Sequence, residues 1–418
     1  MTGPTYKIVI VGAGPVGLAV GALLAASRAC ERLQISIIDA GTAPHWEAEQ
    51  LDLRVYALSR ASQQVLDAAG AWRAIAGQRM SPYRRMQIWE GATWRHSGKL
   101  QFDSVAVGEP DLGAIVEDSL IRSELSKVLE ANPRIEIRRS TTVADVQVRG
   151  GCIELLTAST EQAVIANLLV AADGAQSAVR KRMDFKALER DYQQQAIVAH
   201  IESEAKHAAT AWPRFLPGGP LAFLPLADGR SSIVWSLPNA EAAALMETDA
   251  PQFERALGYA SGGVLGALRL SSRRVSLPLR AQHALSYCQP RVALAGDAAH
   301  TVHPLAGQGM NLGLQDAWSL AQAIEAAVLS GQDPGDLRVL RRYERARKAE
   351  NLAMLTAFDG IDRLFRAPRA LAPLRLGGLN FVDRLPLLKR QLILRALGLS
   401  SQAGRKRSDR WSKYGTLA

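Results

Sequence analysis

Cysteine is scarce. Cys30, Cys152 and Cys288 are the three in a chain of 418 residues, and no two form a CxxC pair. An odd, scattered set of thiols excludes a disulfide framework and points to a reducing, cytoplasmic setting. Metal-ligand clusters are equally lacking: His300 and His303 lie close together, but a pair alone is not a ligand set, so no metal is expected. Low-complexity tracts and fixed-period repeats are absent, which excludes a solenoid or propeller array. Long apolar runs are confined to residues 8–27, IVIVGAGPVGLAVGALLAAS. Four glycines and a proline break that run, so it reads as a strand, a tight turn and a helix rather than a leader or a membrane span. No other segment is long and apolar enough to span a bilayer, so an integral membrane protein is not expected.

What is present is ordinary in bulk and uneven in detail. Hydrophobic residues make up 48% and charged residues 22%, as in globular proteins, and the length suggests two domains or one elaborated one. The net charge is +10, yet residues 351–418 alone hold 13 Lys/Arg against 4 Asp/Glu. Nearly all the basic excess therefore sits at the C-terminal end. It could meet an anionic membrane surface, an acidic protein or nucleic acid, or remain a solvated basic helix.

Along the chain, Tyr6–Val11 reads as a strand, Pro15–Arg28 as a helix and Gln34–Asp39 as a second strand, the order of a parallel crossover unit. Residues 57–76 suggest helix. Residues 84–102 suggest an antiparallel strand pair, and Ile115–Asn132 has helical spacing. Ile135–Thr157 reads as strands turning at Gly150 and Gly151, and Asn167–Ala172 as a buried strand. From about 190 to 280 the pattern is strand-rich. Arg291–Ala295 is again a parallel-type strand, followed by helices over Met310–Ser330 and 336–358. The tail reads as short helical pieces broken at Pro368, Pro373 and Pro386.

Gly12, Gly14 and Gly17 form G-x-G-x-x-G between the first strand and helix. The first glycine permits the turn, the second lets backbone approach a pyrophosphate, and the third lets helix and strand pack closely. Free N–H groups and the dipole at the helix start favour phosphate, and Pro15 costs nothing there because the first turn does not use its N–H. Asp39 ends the second strand, 22 residues after Gly17, placed to bond ribose hydroxyls. A dinucleotide is expected. The fingerprint alone does not separate FAD from NAD.

Two later segments bear on that choice. Asp173-Gly174 leads through Ser177 to Arg180 after the NLLVAA strand. Gly296-Asp297-Ala-Ala-His300 leads through His303, Pro304, Gly307, Gln308, Gly309 and Met310 to Asn311 after the RVALA strand. With these three motifs in this order, the chain resembles the aromatic-ring flavin hydroxylases of the para-hydroxybenzoate hydroxylase type. DLRVYALSRASQQVL, AFLPLADG, SIVWSLP and AGDAAHTVHPLAGQGMNLGLQDA resemble, within that group, the FAD-dependent hydroxylases of ubiquinone biosynthesis. MQIWEG and IVED are most similar to the variety acting on ring carbon 5 of a polyprenylphenol.

The resemblance implies an α/β fold: a Rossmann-type FAD-binding domain with an inserted, mostly antiparallel sheet for substrate and a helical C-terminal tail. The expected divisions are 1–82, 104–185 and 285–350 for FAD, 83–103 and 186–284 for the substrate sheet, and 351–418 for the basic helical region. FAD contacts are implied for Gly12, Gly14, Pro15, Val16, Gly17, Asp39, Arg54, Asp173, Arg180, Gly296, Asp297, Pro304, Gly307, Gln308, Gly309, Met310 and Asn311. Within this set, Asp297 can accept a bond from the ribityl chain, and main-chain N–H groups near Met310 and Asn311 would face the pyrimidine end of the flavin ring. Arg54 can bind phosphate as a fork or form a surface ion pair. Asp173 and Arg180 can touch FAD and help receive a nicotinamide donor, or build a turn with a structural ion pair.

The implied chemistry is reduction of FAD by NAD(P)H or another reductant, reaction with O₂, and oxygen transfer from a C4a-hydroperoxide to a phenol ring. Catalytic side chains are unidentified. Pro304 at the ring edge and His303 are the candidates, with His300 weighed as mainly structural. A polyprenyl substrate needs an apolar cavity, for which Trp212, Phe215, Phe223, Leu224 and Trp235 are candidate lining or else plain core. The basic tail, with Arg384, Lys389, Arg390 and Arg395 among leucines, could rest on the inner membrane or dock other ubiquinone-biosynthesis proteins. No nucleic-acid motif supports that partner. Alternatives are another ring position, another aromatic substrate, or an FAD-binding scaffold subunit.

Overall fold

The computed structural model describes residues 4–91, 97–158, 160–302, 308–366 and 372–399. The first β-strand, Tyr6–Val11, lies inside a six-stranded sheet because its side chains are buried on both faces. It pairs in parallel with Leu33–Ile38 on one side and Leu168–Ala171 on the other. Ile135–Arg138 extends one edge, and the antiparallel hairpin Cys288–Gln289/Val292–Leu294 closes the other. Near-continuous apolar strands of this kind belong to parallel sheets covered on both faces. The helix Pro15–Ala25 is apolar all round and nearly all buried, packed against the helices Asp118–Glu130 and Gln308–Leu329. The run over residues 8–27 is thus a core strand, turn and helix. No described helix is long and apolar enough to cross a membrane.

A nine-stranded sheet forms the second layer. Its spine is Ala187–Ser203, flanked by Val275–Ala284 and Ser231–Pro238 in antiparallel pairing. Leu221–Pro225 and Thr210–Arg214 follow, and the hairpin Arg85–Gly91/Ser97–Asp103 completes the far side through a parallel pairing with Thr210–Arg214. At the near edge, His300–Thr301 pairs with Gln282–His283. The loop after the RVALA strand is therefore stitched to the inserted sheet as well as to the parallel one.

Three segments differ from expectation. Ile115–Glu117 is not helical. Gly113–Glu117 pairs with Val55–Leu58 and Ser81–Tyr83, and the helix begins only at Asp118. The β-branched pair Ile115 and Val116 finds a strand partner that helical spacing cannot reveal. Residues 57–76 split into the end of a strand and two helices, Arg60–Ala68 and Trp72–Gly77, separated at Gly70, whose φ is +81°. Finally, the helix Leu337–Arg366 runs unbroken through residue 350, so the expected division there falls inside one element.

Candidate cofactor site

The glycine loop opens onto a cleft of about 470 Å³. Gly12 adopts φ +106° and donates its N–H to Ile38 O at 2.8 Å. A Cβ on Gly12 would sit 2.3 Å from Ala172 O, and one on Gly17 would sit 2.0 Å from Gly12 O. Both positions are closed by backbone, so only glycine fits. Gly14 is the opposite case: a Cβ there meets nothing within 4 Å, and the residue lines the cleft. The start of the helix Pro15–Ala25 points its free N–H groups at that open space, the geometry that favours phosphate.

Asp39 lines the same cleft, tied down by Ala13 N–H at 2.6 Å and Gly41 N–H at 2.7 Å. Arg54 also lines it, with its guanidinium 5.4 Å from the Tyr56 ring centroid and no salt bridge among the described residues. Tyr56 donates to Asp118 Oδ1 at 2.9 Å. Arg122, one helical turn after Asp118, reaches Ala13 O at 3.2 Å and so holds the glycine loop from behind. Tyr56, Asp118 and Arg122 were missed in the sequence. The i,i+4 acid–base pair opening the helix was the available signal.

Asp173 also reaches the cleft. Its Oδ2 accepts from Ala178 N at 2.7 Å and Val179 N at 3.2 Å, while Oδ1 is buried without a partner among the described residues. Arg180 does not line the cleft. It is 3% exposed and donates to Ala298 O, Ala175 O and Gln282 Oε1, clamping the Asp173 turn to the Gly296 loop and the inserted sheet. The structure therefore supports the structural reading of Arg180 over a cofactor contact, because its donors are already spent on protein acceptors.

Asp297, Gly309 and Met310 close the cleft from the opposite side. Burial pushes the Asp297 carboxyl upward, against the pull of His300 and Arg54. Gly296 adopts φ +61°, and a Cβ on it would press on Val16 at 3.1 Å. The Asn311 side chain is spent on protein: it accepts from Ser59 N and Ser62 Oγ and donates to Ala57 O. His303, Pro304 and Gly307 lie outside the described residues.

Behind the loop, His300 Nε2 lies 2.5 Å from Asp316 Oδ2. Asp316 also accepts from Gly296 N, Arg347 Nε and Asn351 Nδ2. Burial alone would raise the Asp316 carboxyl, but His300 and the Arg347 guanidinium outweigh it and hold it at about 2. This network anchors the Gly296 loop to two long helices, which is the structural role weighed for His300.

Comparison with known proteins adds independent support. A family model described as an FAD binding domain matches residues 5–357. The Escherichia coli K12 protein named 3-demethoxyubiquinol 3-hydroxylase is 35% identical over 422 residues, covering 96% of this chain and 100% of its own. The human protein named ubiquinone biosynthesis monooxygenase COQ6, mitochondrial, is 33% identical over 442 residues, covering 94% and 92%. The chain belongs to the ubiquinone-biosynthesis family of FAD-dependent hydroxylases. It is accordingly an FAD-dependent monooxygenase. Among solved structures, p-nitrophenol 4-monooxygenase PnpA from Pseudomonas putida DLL-E4 has a TM-score of 0.77 at 16% identity, covering 96% of this chain and 100% of its own. This likeness shows the fold.

On the substrate side of this hydroxylase, the aromatic candidates separate. Phe223 and Trp235 are buried in a cluster with Phe253 and Leu257 of the helix Ala250–Ser261, and the half-buried Trp212 packs against it. Strand alternation puts Trp212, Phe223 and Trp235 on the helix-covered face of the sheet, which fits the plain-core alternative. Leu224 lies on the other face, against a cluster that includes Ala57 and Ile115. Phe215 stacks on Phe365 with centroids 3.7 Å apart. The same inner cluster includes Ile393 and Leu397, each 2% exposed. The C-terminal helix Pro386–Ala396 is thus seated where the nine-stranded sheet meets the small sheet of Val55–Leu58, Gly113–Glu117 and Ser81–Tyr83, and Ala61 N donates to Leu397 O at 3.1 Å.

Proposed function

We propose that the protein hydroxylates ring carbon 5 of a polyprenylphenol intermediate of ubiquinone biosynthesis, using O₂ and electrons from NAD(P)H. The full-length likeness to the Escherichia coli and human proteins carries this reading. The printed name of the Escherichia coli relative favours a second reading, in which the substrate is a demethoxyubiquinol and the position is the one that name gives. Deleting the gene and identifying by mass spectrometry which polyprenylphenol accumulates decides between them. A normal ubiquinone level in the deletion strain sinks both.

In this reading Gly12, Gly14 and the start of the helix Pro15–Ala25 receive the pyrophosphate of FAD. Space at Gly14 and the arginine at the cleft support this. Asp39 holds ribose hydroxyls through its remaining lone pairs, and Asp173 Oδ1 offers an unspent acceptor beside them. Arg54 has no competing carboxylate at salt-bridge distance among the described residues and serves the phosphates. Asp297 would accept from the ribityl chain, and main-chain N–H groups near Met310 and Asn311 would serve the pyrimidine end of the flavin. FAD, when bound, supplies the redox and oxygen-activating chemistry. The chain's own contribution is position, electrostatics and a water-poor junction between the two sheets.

We also place this hydroxylase against an anionic bilayer through its C-terminal helices. Leu387 is 80% and Phe381 63% exposed, on two helices joined at Arg384, the second of which also carries Lys389, Arg390 and Arg395. Apolar side chains beside cations suit a membrane surface. Flotation with phosphatidylglycerol vesicles tests this, with Phe381→Glu and Leu387→Glu expected to lower the bound fraction several-fold. Equal flotation of wild type and both variants would remove the membrane contact and leave docking of other ubiquinone-biosynthesis proteins.

A further inference from the structure

A second cavity, of about 840 Å³, lies between the start of the helix Gln308–Leu329, the middle of Leu337–Arg366 and the C-terminal helix Pro386–Ala396. One helical turn separates it from the cofactor cleft. Gly309 and Met310 line the cleft, and Gln308 and Asn311 line the cavity. Its two sides differ in character. Near the cleft it shows Ser59, Gln308 and Asn311, which are hydrogen-bonded to one another. Away from the cleft it shows Leu312, Met354, Leu388, Leu392, Leu394 and Leu399, with Gln315, Glu350, Gln391 and Arg395 among them.

Leu388 and Leu392 do double duty. They line the cavity and are also 38% and 39% exposed, beside Leu387. The mouth of the cavity is therefore on the exposed apolar edge of the C-terminal helix. Six apolar side chains leading to an apolar opening favour an apolar ligand whose path runs between the polar groups. A volume of this size falls in the range of ligand pockets, and apolar side chains interspersed with polar groups are a common lining for them.

We propose that this cavity holds the isoprenoid tail of the substrate, with the C-terminal helix as its outer wall and the Leu387–Leu388–Leu392 edge as its entrance. The proposal rests on the polyprenylphenol reading above. It adds where the chain of the substrate lies and which element admits it. It also gives the C-terminal helix a function distinct from membrane contact. Ile393 and Leu397 fix that helix to the core, while the leucines on its adjacent positions face the tail. Length selectivity follows: affinity rises with each isoprene unit until the cavity is filled, then levels off.

The test uses full-length, FAD-loaded protein and two readouts. Calorimetric titration with farnesol, which carries isoprene units and no ring, reports the cavity alone. Wild type is expected to bind it, and Leu392→Trp and Met354→Trp, which fill the space, to weaken binding at least tenfold each, about 1.4 kcal/mol. Steady-state oxidation of a phenol with one isoprenyl unit is then compared with one bearing five. The variants are expected to raise KM tenfold for the long substrate and leave it unchanged for the short one. Leu392 is partly exposed, so this variant should keep the wild-type melting temperature if Met354→Trp does not.

No farnesol binding by wild type, or equal effects of the variants on short and long phenols, would overturn the proposal. Binding seen only in a chain ending at Leu399 would assign the cavity to the protein's own last residues and overturn it too. Farnesol binding that the variants abolish, with no phenol oxidised, would retain the cavity and reject the hydroxylase substrate. Oxidation that ignores tail length would do the reverse.

Discussion

His300 Nε2 and Asp316 Oδ2 meet at 2.5 Å, and neither side chain is exposed to solvent. Asp316 is also the counter-ion of Arg347, whose side chain is 3% exposed. Removing one charge from such a buried set leaves the other uncompensated, which costs about 3–5 kcal/mol. Asp316→Asn keeps the volume and removes the charge. Its urea midpoint is expected to fall by the equivalent of that cost, with FAD affinity falling alongside because a single amide oxygen cannot accept from all of Gly296 N, His300, Arg347 and Asn351. An unchanged midpoint would show that the network does not hold the loop.

The second and third glycines of the fingerprint should separate stability from binding. Gly14 has φ −71°, ψ 173°, which alanine adopts freely, and its Cβ would enter open space. Gly14→Ala should leave the melting temperature of the FAD-free protein within about 0.5 kcal/mol of wild type and weaken FAD at least tenfold. Gly17→Ala puts a methyl 2.0 Å from Gly12 O, so the loop must move. It should cost about 1–3 kcal/mol or more even without cofactor. Melting curves with and without FAD distinguish the two, and the same pattern for both variants would refute the division of labour.

Why the glycine loop was legible and the Asp316 network was not has a physical basis. The loop is local: strand, turn and helix are consecutive, and steric closure at Gly12 and Gly17 is set by neighbours within one crossover unit and its adjoining strand. The network joins Gly296, His300, Asp316, Arg347 and Asn351, and only tertiary packing brings the last two to the first three. Arg180 shows the same limit. Its type and position suggested a ligand, but acceptors at Ala298 and Gln282, more than a hundred residues away, consume its donors. For the sheet aromatics, alternation defines two faces without saying which one the helices cover.

Acid should weaken the fold in a defined window. Burial first, then His300 and Lys348, lowers His283 from its usual value to about 4, with Asp316 opposing; its Nδ1 lies 3.4 Å from Tyr287 Oη. Between pH 6.5 and about 4 the unfolded chain binds a proton here that the folded one does not. This contribution is therefore full above 6.5 and is lost as the pH falls toward 4, by roughly 2–3 kcal/mol. Unfolding free energies measured from pH 7 to 5 should fall, and His283→Gln should flatten the curve. A variant with the wild-type slope would place the titration elsewhere.

Trp235 and Leu224 lie on adjacent strands but on opposite faces of the inserted sheet, and their variants should behave accordingly. Trp235 is 5% exposed and packs on Phe253 with centroids 6.2 Å apart, on the helix-covered face of the sheet. Truncation to alanine removes a large buried ring and should cost about 3–5 kcal/mol. The folded fraction should nevertheless keep the wild-type KM for a phenol substrate, because no substrate contact is lost. Leu224 packs on the inner cluster with Ala57, Ile115 and Ile393, beneath the C-terminal helix. Leu224→Ala is only half buried to begin with and should cost about 1–2 kcal/mol, yet raise KM several-fold by loosening that cluster. Reversal of the pattern, with KM sensitive to Trp235 and not to Leu224, would put the ring-binding surface on the helix-covered face and require the helices Asn239–Glu247 and Ala250–Ser261 to move for substrate to enter.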